Sequence, residues 1–257
     1  MYQKTTLDNG LRILTATMPH TRSVSICIFI GVGSRYENEP QAGVSHFIEH
    51  LLFKGTSKRP TAREISAAIE GVGGIINGGT NKELSLYWCK VAQPHFHLAM
   101  DLLADMLLHS KFNTKDIESE RQVIIEEINM GKDSPSQLVD MLVDELLWPN
   151  HPLGRDTAGS KQSVVAITRE MMLEHLANHY FPSNTVVAIA GAGQHQEMVT
   201  TVNQALGNWA NLAPPPGYSA YKEQKFPQLR IERKETEQTH LCLALSGLSL
   251  LHPKRFI

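Results

Sequence analysis

The chain contains the stretch Gly43-Val44-Ser45-His46-Phe47-Ile48-Glu49-His50-Leu51-Leu52-Phe53-Lys54-Gly55-Thr56. Residues four apart lie one above the other on a helix, so His46 and His50 can close their imidazoles on one metal ion. Glu49 projects beside the second imidazole and can reach a metal-bound water without necessarily ligating the metal. The stretch therefore predicts a zinc-binding helix with a neighbouring base, which indicates metal-assisted hydrolysis of peptides.

A third metal ligand must come from elsewhere, because a catalytic zinc site has three protein ligands and one open position. The segment 118–128 is the only strongly acidic helical stretch downstream that also has a long apolar stripe. Within it, Glu120 and Glu127 are seven residues apart and share one face. We therefore expect this segment to supply the missing carboxylate.

A plainer interpretation is a polar stripe on a solvated helix. The neighbours of the histidines are too apolar for a helix lying wholly in water. A buried carboxylate without a partner would also be costly. The composition of the stretch therefore favours the metal site.

Several separate blocks resemble the inverzincin metallopeptidases, specifically the pitrilysin and mitochondrial processing peptidase family. The resemblance runs from Thr6 to the last residue. The blocks are Leu7-Asp8-Asn9-Gly10-Leu11-Arg12, the stretch quoted above, Asn77 with Thr80, Glu120 to Glu127, His151-Pro152-Leu153-Gly154 with Gly159, and Tyr180 followed by 184–191.

The resemblance implies a ligand set of His46, His50 and Glu127 for one Zn²⁺ per chain. In the family, the third ligand is a glutamate about 76 or 77 residues after the second histidine, and Glu127 falls at the longer spacing. Glu126 is the alternative, because a register error of one residue is easy. Glu120 matches a family glutamate that supports the metal ligands from outside, where such partners orient them.

The resemblance also implies a mechanism in which Glu49 is the general base. Zinc would lower the pKa of its water from about 15.7 toward roughly 7, and the glutamate would take the proton and return it to the leaving amine. In the family, an extended substrate pairs with an edge strand near the zinc site. We therefore expect substrate contacts at Asn77, Gly78, Gly79 and Thr80, although an ordinary bend or bulge explains the two glycines equally well.

The predicted fold is α+β, a mostly antiparallel sheet with helices packed on one face, as in the metallohydrolase fold of the family. Asp8-Asn9-Gly10 is a turn signal between two strands and predicts a hairpin. Further strands are predicted at 23–31, 83–91 and 185–191, and helices at 42–54, 61–71, 94–109, 113–131, 135–148, 168–179 and 195–208.

Three units are predicted along the chain: a zinc-binding catalytic domain (1–212), a Pro-rich linker (213–229) and the start of a truncated second homologous domain (230–257). In the family the second domain supplies an arginine and a tyrosine that neither segment provides. A natural fragment, a cleavage product and a shortened chain all remain open. We expect the isolated chain to bind zinc yet hydrolyse peptides feebly.

Composition limits the partners. A net charge of −2 provides no field that would recruit nucleic acid or an anionic membrane. No apolar signal core or membrane-spanning run is present, so a cytoplasmic, bacterial-type protein is expected. The expected partners are a peptide or unfolded substrate and a second domain or partner half; a homodimer is left open.

Other polar residues receive plainer interpretations. His175 and His179 repeat the four-residue spacing beside Glu174, but we expect surface histidines on a polar helix and no second metal site. Solvated side chains are expected for the loop residues Arg35, Glu37 and Glu39, and buried thiols for Cys27, Cys89 and Cys242.

Two competing functions remain. Some relatives are structural or substrate-guiding subunits without catalysis, but they usually lack the complete motif that this chain has. Metal-activated water is not inherently peptide specific, so a zinc hydrolase of another small substrate is the third possibility.

Overall fold

The computed structural model describes residues 2–212, 217–218, 221, 226–235, 237–249 and 251–257. The described strands are β1 (Gln3–Thr6), β2 (Arg12–Thr17), β3 (Ser23–Ile30), β4 (Ile75–Thr80), β5 (Ser85–Ala92) and β6 (Thr185–Gly191). The described α-helices are α1 (Val44–Leu52), α2 (Ala62–Glu70), α3 (Phe96–His109), α4 (Thr114–Asp133), α5 (Pro135–Leu147), α6 (Lys161–Ala166), α7 (Arg169–His179) and α8 (His195–Leu206).

The six strands form one sheet in the order β1-β2-β6-β3-β5-β4. Every neighbouring pair is antiparallel except β2 and β6, which run parallel with Arg12 opposite Val186. Strand β4 lies at one end of the sheet and pairs with β5, Asn77 opposite Trp88. One edge of the sheet is therefore formed by a strand whose outer backbone groups are not used by another described strand.

The core lies on one face of the sheet, because side chains alternate between the two faces of a strand. In β3, Val24, Ile26, Ile28 and Ile30 are fully buried, whereas the residues between them are partly exposed. Helix α1 and α3 contribute further buried side chains to the same core cluster. This one-sided burial is the predicted α+β arrangement, and the fold class is confirmed.

The predicted hairpin is confirmed by the antiparallel pairing of β1 with β2, and the other predicted strands and helices match described elements to within a few residues. The short helix α6 was not predicted. The expectation of three buried thiols is wrong for two of them: Cys89 is buried, but Cys27 and Cys242 are partly exposed. Cys27 lies on the uncovered face of β3, where alternation places it.

The chain beyond α8 differs from the rest. No helix or strand occurs among its described residues, and Leu241, Leu243 and Leu245 are each more than 80% exposed. Much of the predicted linker, namely 213–216, 219–220 and 222–225, lies outside the described residues. The three-unit division remains a prediction. Among the described helices, none is both long enough and apolar enough to cross a membrane.

Candidate metal centre

Helix α1 begins at a position that only glycine suits. Gly43 has a φ of 94°, a left-handed conformation, and a Cβ there would lie 2.4 Å from the carbonyl oxygen of Ala158. The Glu37 carboxylate accepts hydrogen bonds from the backbone N–H groups of Gly43 at 2.7 Å and Ser45 at 2.8 Å. An anion at a helix N-terminus satisfies free N–H groups and the helix dipole. The expectation of a solvated Glu37 is therefore wrong, since its side chain is buried and fixes the start of the helix.

The two histidines of α1 face a carboxylate from α4. The rings of His46 and His50 have centroids 4.7 Å apart. Glu127 places Oε2 at 3.8 Å from His46 Nε2 and at 3.5 Å from His50 Nε2. Glu126, the alternative at one residue's distance, is exposed and accepts a hydrogen bond from Asn129. The structure thus brings Glu127, not Glu126, to the histidine pair.

This donor set fits a zinc ion. One ligand atom from each of the three residues lies within 4.8 Å of the others. In a tetrahedral zinc site with bonds of roughly 2.0 to 2.2 Å, ligand atoms lie about 3.3 Å apart, so only small side-chain movements are needed. In the described part of the chain, this is the only such group of three or more histidine, cysteine or acidic side chains.

The protonation state of His46 suits ligation. Burial and, to a smaller extent, the nearby His50 together lower the pKa of His46 to about 4, against the opposing effects of Glu127 and Asp156. The imidazole is therefore neutral at neutral pH. Metal binding requires this neutral form, because the ligating nitrogen must have a free lone pair.

A buried carboxylate contacts the ring of His50 at the nitrogen that does not face Glu127. His50 Nδ1 lies 3.1 Å from Glu120 Oε2, and this side chain is 7% exposed. When Nδ1–H donates to the carboxylate, Nε2 keeps its lone pair on the side of Glu127. Lys54 Nζ contacts the other oxygen of Glu120 at 2.6 Å and offsets its charge. The sequence analysis missed this role of Lys54, which lies four residues after His50, in the turn that follows α1.

Helix α4 is held in place by a buried arginine next to Glu120. The guanidinium of Arg121 donates to the carbonyl oxygen of Val164 and, at 3.0 Å, to that of Ile167. These carbonyls lie at the end of α6, so the unpredicted helix anchors the middle of α4. Glu120 and Glu127 are thereby fixed on the face that packs against α1. No local sequence pattern predicts this contact, since it spans more than 40 residues.

Glu49 lies beside the metal group and bonds to the edge strand. Thr80 Oγ1 donates to Glu49 Oε2 at 2.6 Å. Burial raises the pKa of Glu49, and the hydrogen bond from Thr80 and the proximity of His50 oppose that rise. The carboxylate is partly buried and can serve as a proton acceptor.

The residues of β4 that we expect to contact substrate differ from one another in their surroundings. Asn77 is exposed, and its side chain accepts a hydrogen bond from the backbone N–H of Gly78 at 2.8 Å. A Cβ on Gly78 would meet the Phe53 ring at 2.9 Å, whereas a Cβ on Gly79 would meet nothing closer than 3.7 Å. Gly78 therefore permits α1 to pack closely on the strand. Peptide contacts at these residues and Thr80 stay a prediction.

The second histidine pair is not on the surface, so that expectation is wrong. His175 and His179 are 3% and 7% exposed. His175 Nε2 lies 3.1 Å from the hydroxyl of Ser45, which places the pair against the inner side of α1. Helix α7 packs on α1, and the polarity of its sequence did not reveal that contact.

The sequence matches two family models. The model described as insulinase (peptidase family M16) matches residues 12–161, and the model described as the peptidase M16 inactive domain matches residues 166–256. The uncharacterized zinc protease ML0855 of Mycobacterium leprae is 39% identical over 94% of this chain and 55% of its own length. The uncharacterized zinc protease YmxG of Bacillus subtilis is 34% identical over 99% of this chain and 61% of its own length.

Solved structures share the fold. A protease from Helicobacter pylori superposes with a TM-score of 0.82 at 22% identity, covering 86% of this chain and 54% of that one. The periplasmic protease PqqL from Escherichia coli superposes with a TM-score of 0.78 at 21% identity, covering 87% of this chain and 25% of that one. Fold and metal group together define a metallopeptidase-like protein. More narrowly, the chain belongs to peptidase family M16, the family of the pitrilysin-like enzymes, and spans little more than half the length of its curated relatives.

Proposed function

We propose that this chain is the zinc-binding, catalytic part of a metalloendopeptidase, with His46, His50 and Glu127 holding one Zn²⁺ per chain. The convergence of two imidazoles from α1 and one carboxylate from α4 carries the proposal. The names of the relatives, zinc proteases, support the same activity. Glu120 serves this set by fixing the ring of His50.

When bound, zinc supplies Lewis acidity that makes a water molecule acidic near pH 7 and polarises a carbonyl group. Glu49 accepts the proton of the attacking water and returns it to the amine that leaves. Its place one residue from a ligand, with Thr80 bonded to one oxygen, keeps its carboxylate beside the metal group. The substrate is an extended peptide or unfolded chain, aligned along the open edge of β4.

A second domain or partner half completes the site. The chain covers 55% and 61% of the length of the two relatives named above, and the M16 inactive-domain model extends to residue 256. The exposed leucines of segment 237–249 suit a strand that still requires a sheet to pair with. We therefore expect the isolated chain to bind zinc and to cleave peptides feebly. Robust turnover by the 257-residue chain alone would contradict this part of the proposal.

The variant Glu49→Gln tests the proposal in the zinc-loaded full-length protein. Loss of the general base should reduce peptide cleavage by about 100-fold to 10,000-fold, while zinc affinity stays unchanged. Glu126→Gln is the matched control, because it removes an exposed carboxylate close to the site. Cleavage by Glu49→Gln at nearly the original rate would remove this residue from the mechanism. Cleavage that survives complete zinc chelation would exclude a zinc peptidase.

Location and specificity belong to the same proposal. We expect the enzyme to be cytoplasmic. We also expect low sequence specificity for the substrate, because pairing at an edge strand uses mainly backbone hydrogen bonds and few side chains. Cell fractionation of the source organism tests the location. A degradation assay with an unfolded protein tests the substrate class.

A further inference from the structure

Strand β4 presents alternate residues to α1. Side chains two apart on a strand point to the same face, so positions 78 and 80 face together and position 79 faces away. A Cβ on Gly78 would lie 3.2 Å from Glu49 Cγ, and Thr80 reaches the carboxylate of the same glutamate. One face of the edge strand is therefore in direct contact with the proposed base.

The contact with Thr80 is short and acts on a group with few other constraints. The distance of 2.6 Å is typical of a hydroxyl that donates to a charged carboxylate, a bond about twice as strong as a neutral one. Among the described residues, Thr80 is the only one whose side chain donates a hydrogen bond to Glu49. Without it, the carboxylate could rotate about its terminal side-chain bonds, which have broad energy minima.

We infer that the side chain of Thr80 is a positioning group for Glu49 and does not donate a hydrogen bond to the substrate. Its hydroxyl already donates its one proton to the carboxylate, so it has no proton left for a peptide carbonyl. The strand proposed to align the peptide thus also sets the direction of the base. This inference rests on the proposed function, and it assigns to Thr80 a role different from the one that the family resemblance implies.

Two substitutions separate these roles in the zinc-loaded full-length protein. Thr80→Val keeps the shape and removes the donor, whereas Thr80→Ser keeps the donor. For Thr80→Val we expect kcat to fall about 10-fold to 100-fold with KM within about twofold, because a misplaced catalytic group costs up to about 100-fold in rate. Thr80→Ser should keep kcat within about threefold. A raised KM at unchanged kcat would show a substrate contact, and unchanged values of both would show no role; either result overturns the inference.

A matched control excludes a loss of stability as the cause. Thr61 donates to Glu64 at 2.8 Å in the cap of α2, and neither residue belongs to the proposed site. Thr61→Val removes a threonine-to-glutamate bond of the same kind together with the N-cap of α2, so its melting temperature should fall. Its kcat should not change. If Thr61→Val lowers kcat as much as Thr80→Val does, the effect is general and the inference is overturned.

A structural measurement keeps the inference separate from the proposed function. Crystal structures of Thr80→Val and Thr80→Ser report the position of the Glu49 carboxylate without any assay of cleavage. We expect displacement in the valine variant and the original position in the serine variant. An undisplaced carboxylate in Thr80→Val overturns the inference. If instead Glu49→Gln cleaves normally, the proposed base is wrong, while displacement would still show that Thr80 holds this side chain.

Discussion

Two histidine pairs in this molecule have the same spacing and different surroundings. The rings of His46 and His50 are 4.7 Å apart, and those of His175 and His179 are 4.5 Å apart. Burial lowers the pKa of the first histidine in each pair, to about 4 in α1 and about 3 in α7. The first histidine of each pair is thus neutral at neutral pH, and the two rings of each pair lie on one helical face.

The difference lies in what faces each pair. Helix α4 brings Glu127 to the first pair and places Glu120 behind it. The second pair contacts Ser45 and the ring of Tyr36, and no acidic group joins it to form a metal site within the described chain. Spacing therefore supplies two possible ligands, and the helix packed opposite decides whether they form a metal centre or part of the core.

The largest expected effect comes from removing the carboxylate that distinguishes the pairs. Glu127→Gln replaces an anionic ligand by a weak neutral one. Mutation of a residue that only hydrogen-bonds to a ligand lowers metal affinity by up to roughly 100-fold, so loss of the ligand itself should lower zinc affinity by more than that. A competition titration with a chromophoric chelator measures this. Glu126→Gln is the control and should bind zinc like the unchanged protein. If Glu126→Gln loses zinc and Glu127→Gln does not, the third ligand is the neighbouring residue.

The next effect concerns the carboxylate behind His50. Glu120→Gln removes the anionic acceptor of Nδ1–H and the partner of Lys54, so zinc affinity should fall about 10-fold to 100-fold. The same chelator titration measures it, at fixed pH. Because the side chain is buried, circular dichroism must first show that the variant is folded. Unchanged zinc affinity in a folded Glu120→Gln protein would contradict the supporting role.

Local patterns predicted most elements of the fold. The Asp8-Asn9-Gly10 turn was sufficient to predict the hairpin, and the helical periodicities were sufficient to predict most helices, because the chain conformation there depends on neighbours in sequence. Helix α6 was not predicted, because six residues are too few to show a periodic apolar stripe. Strand β4 was expected only from the family resemblance, since two glycines weaken its strand pattern.

The surroundings of the site depended on long-range packing. The spacing of His46 and His50 is local, and the sequence alone indicates their shared face. Glu37 and His175 are buried because both contact Ser45 at the start of α1. No local sequence pattern predicts these contacts. The contact of Thr80 with Glu49 joins residues 31 apart, so the sequence indicated both residues but not their contact. Tertiary contacts therefore decide the roles of residues whose types are already suggestive.

A smaller effect is expected in the pH dependence of stability. His175 has a folded pKa of about 3 against about 6.5 in the unfolded chain, so the unfolded state binds more protons between these values. The free energy of unfolding should therefore fall as the pH drops from about 6.5 toward 3, by up to about 1.4 kcal/mol per pH unit from this group. Urea unfolding of the zinc-free protein at several pH values measures it. His175→Gln should reduce the slope, and an equal slope in both proteins would contradict burial of a neutral imidazole.

The smallest effect is expected at the far end of the second pair. His179 is buried, its Nδ1 has no hydrogen-bond partner among the described residues, and burial lowers its pKa. An unpaired buried nitrogen costs free energy that an apolar ring does not. His179→Phe should therefore change the free energy of unfolding by less than about 1 kcal/mol and leave one zinc per chain at unchanged affinity. Urea unfolding and metal analysis measure the two quantities. A loss of bound zinc in the folded variant would contradict the assignment of this pair to the core, and the distinction between the two pairs would then fail.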